Sequence, residues 1–129
     1  MTASCPPPVD QLTLRTIAMP RDTNPSGDIF GGWLVSMMDM AGGTVAIHRS
    51  KGRVVLAGIH KMSFLLPVFV GDEVSCYAHV IKIGTTSIQV NVEAWVRRPT
   101  NGNTHKVTEG LFTFVAIDEN RKPRSIAQN

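Results

Sequence analysis

Between Trp33 and about Arg49 the apolar residues recur with the period of a helix, whereas the other patterned stretches recur with the period of a strand. Leu34, Met38, Ala41 and Val45 form one stripe, and Trp33, Met37, Met40, Thr44 and Ile47 form a second beside it. Two adjoining stripes predict a helix buried over most of its circumference. One helix cannot cover both faces of a sheet, so a doubly wound parallel fold is disfavoured.

The strands follow from alternation and punctuation. Residues 11–19 read as a first strand closed by Pro20, and residues 22–32 (DTNPSGDIFGG) as a loop. After Lys51-Gly52, residues 53–59 form a strand that extends through Phe64 and ends near Pro67. Residues 73–83, 86–98 and 106–117 supply three more. In the second of these, Ile88, Val90, Val92, Ala94 and Val96 share one face, and Gln89, Asn91, Glu93, Trp95 and Arg97 share the other. Residues 118–129 read as a frayed polar tail. The expected class is α+β: a mainly antiparallel sheet wrapped around one central helix, which is the arrangement of the hotdog fold. A chain of 129 residues leaves room for one domain. It is placed at residues 10–123, between a flexible arm at 1–9 stiffened by Pro6, Pro7 and Pro8, and a C-terminal tail at 124–129.

Composition excludes several classes. No apolar run approaches the roughly 20 residues a membrane-spanning helix needs, and MTASCPPPVD lacks the basic and apolar regions of a secretory signal. Cys5 and Cys76 are too few for a disulfide framework, so a reducing, cytoplasmic setting is expected. The net charge of +3 comes from scattered residues, with Arg97, Arg98 and Lys106 the nearest thing to a cluster. That is too little for a nucleic-acid partner. It would suit a small ligand with several phosphates, but reads more simply as a solvated basic surface. His48, His60, His79 and His105 lack metal-ligand spacing, which leaves metal binding a minor alternative. There is no G-x-S-x-G elbow to make Ser26 or Ser36 a nucleophile, and GDIFGG lacks the G-K-[ST] of a phosphate loop.

The helix has one odd face. Gly32, Ser36, Asp39 and Gly43 lie on a small, polar line, with Gly42 and Ala46 next to it. Small residues let a partner helix come close. Asp39, among Met37, Met38 and Met40, has two readings: a carboxylate facing water, or a catalytic carboxylate in a partly desolvated cleft. Gly31 and Gly32 place backbone N–H groups at a helix N-terminus, where they would stabilise an oxyanion, although Gly-Gly before a helix is also ordinary loop chemistry. Seven residues separate Gly32 from Asp39, roughly 10 Å along the axis. One helix is therefore unsuited to serving one reacting carbon with both. Two helices packed antiparallel across a twofold axis would bring each Gly32 to the other subunit's Asp39, and a monomer would be inactive.

The stretches LRTIAMPRDTNPSGDIFGGWLVSMMDMAGG, GRVV and MSFLLPVFVGDEVSCYAHVIKIGTTSIQVNVEAWV resemble the YciA-type acyl-CoA thioester hydrolases over roughly residues 11–123. The resemblance implies a hotdog fold, a double-hotdog dimer, often a hexamer built as a trimer of dimers, and hydrolysis of acyl-CoA to a free acid and CoA without a cofactor. It implies a catalytic role for Asp39, a place in the site for Asn24, and a carbonyl-polarising role for the amides of Gly31 and Gly32. Gly84, Thr85, Thr86 and Ser87 match a segment along the CoA arm. Leu56 and His60 depart from the family pattern, which bears on acyl preference. Asp39 would act as general base on a water, aided by Asn24 of the facing subunit, or attack directly to give an anhydride. A non-catalytic acyl-CoA sensor is the rival reading, and a hotdog dehydratase a weaker third.

Overall fold

A computed structural model describes residues 6–128. Cys5 and most of the expected N-terminal arm lie outside the described residues. The elements are β1 (Leu12–Ile17), α1 (Gly31–Ser50), β2 (Val54–Phe64), β3 (Glu73–Ile83), β4 (Ser87–Arg97) and β5 (Thr104–Ala116), with short 3-10 turns at Val9–Gln11 and Pro20–Asp22. The strands form one antiparallel sheet in the order β1-β3-β4-β5-β2. Helix α1 packs on one face of it.

The alternation in β4 decides which face is covered. Ile88, Val90, Val92, Ala94 and Val96 are buried under the helix, together with Phe112 and Phe114 of β5. From α1 the core receives Leu34, Met38, Ala41 and Ala46. Removing each large side chain from water contributes about 1.5–3 kcal/mol. At Gly42 an added Cβ would stand 3.1 Å from the Phe114 ring and 3.2 Å from Val92, so the missing side chain lets helix and sheet approach.

Three expectations about α1 change. Within one chain α1 is one-sided: Met40 and Ile47 of the second stripe are 49% and 48% exposed, so the helix is not buried over most of its circumference. Gly42 and Ala46 face the sheet and not a partner helix. The helix also begins two residues before Trp33, at Gly31, because Phe30 serves as an extended N-cap and the glycine pair enters the first turn.

The segment after β5 is not frayed. Arg124 donates from Nε to the Ile117 carbonyl (2.9 Å) and from Nη1 to the Ser50 carbonyl (3.0 Å) at the end of α1. Its guanidinium fills the space that a side chain at Gly52 would need. The Ile126 N–H donates to the Thr85 carbonyl, 2.8 Å, and its side chain is 4% exposed in the core. The basic polarity of the stretch hid this, since one arginine and one isoleucine do the anchoring.

Candidate active site

The loop before α1 is built around Asn24. Its side-chain carbonyl accepts the N–H groups of Ser26 (2.9 Å) and Asp28 (3.2 Å), and its own N–H donates to the Asp28 carbonyl, 2.7 Å. This uses up Oδ1 as a turn former. Among the described residues nothing accepts from the Nδ2 amide, which remains a donor. Phe30 N–H to the Asp22 carbonyl, 2.9 Å, then fixes the loop to the helix start.

At that start no side chain caps the helix. The N–H groups of Gly31 and Gly32 have no acceptor among the described residues. Both glycines are exposed, and nothing lies within 4 Å of where a Cβ of Gly32 would stand. The unsatisfied donors and the helix dipole make this end attractive to negative charge. Asn24 and Gly31 open together onto a cleft of about 330 Å³, walled on the other side by Phe64 to Val68. The structure therefore brings together a side-chain donor, the Gly31 backbone donor and an apolar wall, with Gly32 beside them on the same turn.

Asp39 is not in that cleft. It lies two turns further along α1, half-buried, and desolvation raises its pKa above the ordinary carboxylate value of 3.8. Asp39 is thus partly shielded from water within one chain, and its distance from the glycine end follows from helix rise.

Gly84 to Ser87 form the β3–β4 turn, closed by Gly84 N–H to the Ser87 carbonyl, 2.8 Å. The turn is held beside the C-terminal segment by Gln128 Nε2, which donates to the Gly84 carbonyl at 3.2 Å. That segment also grips the last turn of α1, whereas the cleft adjoins the first. In one chain the turn and the glycine amides therefore sit at opposite ends of the helix.

The loose basic cluster is not a free anion site. Arg97 pairs with Glu73, Arg98 with Asp72, and Lys106 with Glu109. Trp95 donates to Glu93 at 2.8 Å. Among the described residues no group of three His, Cys, Asp or Glu is arranged to hold a metal, and no helix is long and apolar enough to cross a membrane. The apolar wall 64–68 and its support by Arg98 and Asp72 were missed in the sequence. Only a strand end near Pro67 and a new strand from residue 73 are read there, and nothing local links Asp72 to an arginine 26 residues on.

The family model described as the thioesterase superfamily matches residues 26–102. The acyl-CoA thioester hydrolase YciA of Salmonella typhimurium is 50% identical over 129 residues, covering 98% of this chain and 97% of that protein. A hexameric thioesterase from Yersinia pestis superposes with a TM-score of 0.87 at 50% identity, over 92% of this chain and 96% of that one. A hexameric broad-specificity acyl-coenzyme A thioesterase, solved as an aspartate-to-alanine mutant, superposes with a TM-score of 0.88 at 45% identity, over 92% of this chain and 87% of that one.

Proposed function

Because the chain belongs to the YciA-type acyl-CoA thioester hydrolases of the thioesterase superfamily, its activity is hydrolysis of acyl-CoA to a carboxylic acid and CoA, and we propose that it does so with Asp39, Asn24, Gly31 and Gly32 joined across a subunit boundary. The separation along α1 carries this reading. Asn24 and Gly31 open onto one cleft, with Gly32 next to it on the exposed first turn, and Asp39 of the same chain stands outside it. An antiparallel partner helix would carry its own Asp39 toward those donors.

In that arrangement the thioester carbonyl points at the N–H groups of Gly31 and Gly32, which hold the oxyanion as charge develops. Asn24 contributes its Nδ2 as a donor, to the same oxygen or to the attacking water. Asp39 of the partner, ionised, takes the proton of that water. Direct carboxylate attack with an anhydride intermediate uses the same geometry. The antiparallel arrangement also moves the partner's turn (Gly84, Thr85, Thr86, Ser87) to the glycine end, where it would lie along the CoA arm.

The chain works as a homo-oligomer, as its hexameric relatives do. The finer reading is a dimer in which the free edge of β2 pairs with its copy and the exposed face of α1 meets its counterpart, with three such dimers in a hexamer. The working domain starts near residue 10 and, beyond the expected limit of 123, takes in Arg124 and Ile126, which are tied to the helix end and the core. A buried, free Cys76, its pKa pushed up to about 12 by desolvation, suits a reducing cytoplasm.

Thiol release over a panel of acyl-CoAs, run on protein of measured oligomeric mass, tests the reading. Asp39→Asn should lower kcat by about 10²–10⁴ while CoA still binds. Near-normal turnover in that variant would defeat the assignment.

A further inference from the structure

Asp72 is 1% exposed, at the turn into β3. Its Oδ2 accepts the Phe69 N–H at 2.8 Å and pairs with the guanidinium of Arg98. That guanidinium also donates to the Pro67 carbonyl at 3.2 Å and lies 4.6 Å above the centre of the Phe69 ring. One arginine just beyond β4 thus grips segment 67–72 at three points. The segment is held on its other side by Ile29 N–H to the Val68 carbonyl, 2.9 Å, and Ala18 N–H to the Asp72 carbonyl, 3.0 Å. Pro67 and Val68 line the cleft, whereas Phe69, Asp72 and Arg98 do not.

Within segment 67–72 the core holds one apolar side chain, Val68, while Phe69 and Val70 are exposed, so packing anchors it at a single residue and leaves its orientation to the polar grip. A buried ion pair is a poor source of net stability compared with an apolar replacement. Directionality is what it supplies: a planar fork that fits a carboxylate, a carbonyl and an aromatic face at once.

We infer that Arg98 and Asp72 are positioning residues that set the acyl-chain selectivity of the enzyme by fixing the apolar wall opposite Asn24 and Gly31. The inference rests on the acyl-CoA hydrolase reading and on the acyl group occupying that cleft. Releasing the wall widens the space for the chain without touching the donors or the carboxylate. Longer acyl groups then gain relative to short ones, mainly through KM.

The experiment measures kcat and KM for acetyl-, butyryl-, hexanoyl- and decanoyl-CoA with wild type, Arg98→Ala, Arg98→Lys and Asp72→Asn, at matched oligomeric mass. The ratio of kcat/KM for decanoyl- to acetyl-CoA should move by about tenfold in Arg98→Ala, the scale on which methylenes are discriminated. Arg98→Lys keeps the charge but not the fork or the stacking plane, and should fall between. If Arg98→Ala yields no folded oligomer, Arg98→Lys and Phe69→Leu carry the measurement, each with a smaller shift of the same sign. A uniform loss across all four substrates, or an unchanged profile, overturns the inference while leaving the hydrolase reading intact. Absence of thiol release by the wild type on any of the four overturns that reading itself.

Discussion

The side-chain amide of Asn24 is divided between folding and chemistry: its oxygen closes the loop and its nitrogen remains to donate. Aspartate in its place would keep the turn but lose the donor, so Asn24→Asp should fold normally and lose turnover. Asp39 is the complementary case. Desolvation raises its pKa, so the folded state prefers the proton. The stability it contributes is complete below the unfolded value of 3.8 and is lost as pH rises through the folded value. At neutral pH the ionised group is therefore a liability, and Asp39→Asn should raise Tm there. Thermal melts across pH should show the gain closing below pH 3.8. The same sign governs catalysis. The acid limb of the kcat/KM profile should lie above the ordinary carboxylate range, and should vanish with the Asp39→Asn variant's residual activity.

At the scale of elements, α1 is fitted to the sheet by an absence. Gly42→Ala would gain about 1 kcal/mol in helix propensity. Its Cβ, however, would meet Phe114 and Val92 at 3.1–3.2 Å. Val92 is β-branched and fully buried, and the Phe114 ring stacks with Phe112 at 6.4 Å between centroids, so neither can yield cheaply. Overpacking of this kind costs about 1–3 kcal/mol. The net expectation is a lower denaturation midpoint in urea at an unchanged slope. Arg124→Ala removes the donors that hold the Ser50 and Ile117 carbonyls and should cost about 1.5–3 kcal/mol, read the same way. These elements also show what a sequence carries. The inward face of β4 was legible because strict alternation between a core and an outer face leaves one register. The helix N-terminus was not, because Gly-Gly has low helix propensity and only Phe30 and the loop behind it impose the first turn. The C-terminal segment was illegible for a related reason: Arg124 reads as surface charge until the carbonyls of Ser50 and Ile117 are seen around it. Of the site, the spacing of Gly32 and Asp39 was readable as helix geometry. The place of Asn24 came through family resemblance alone, since a turn asparagine with a spare amide looks like any other. The Asp72–Arg98 pair joins a turn to a hairpin through space and leaves no periodic trace.

For the whole molecule, the exposed residues describe what one chain lacks. In the proposed dimer, Met40 and Ile47 on the open face of α1 and the unpaired edge of β2 are the surfaces a copy would cover. Ile47→Asp should shift the mass measured by light scattering toward a monomer and remove turnover in proportion. Asn24 and Gly31 sit on one continuous loop and helix start, so in the proposed site they come from one chain and Asp39 from its partner. Two defective proteins can therefore repair one another. In a pair formed from an Asp39→Asn chain and an Asn24→Ala chain, one composite centre inherits both lesions and the other inherits none. Unfolding an equal mixture of these two preparations and refolding it together should restore about a quarter of wild-type turnover, from partners that are each silent alone.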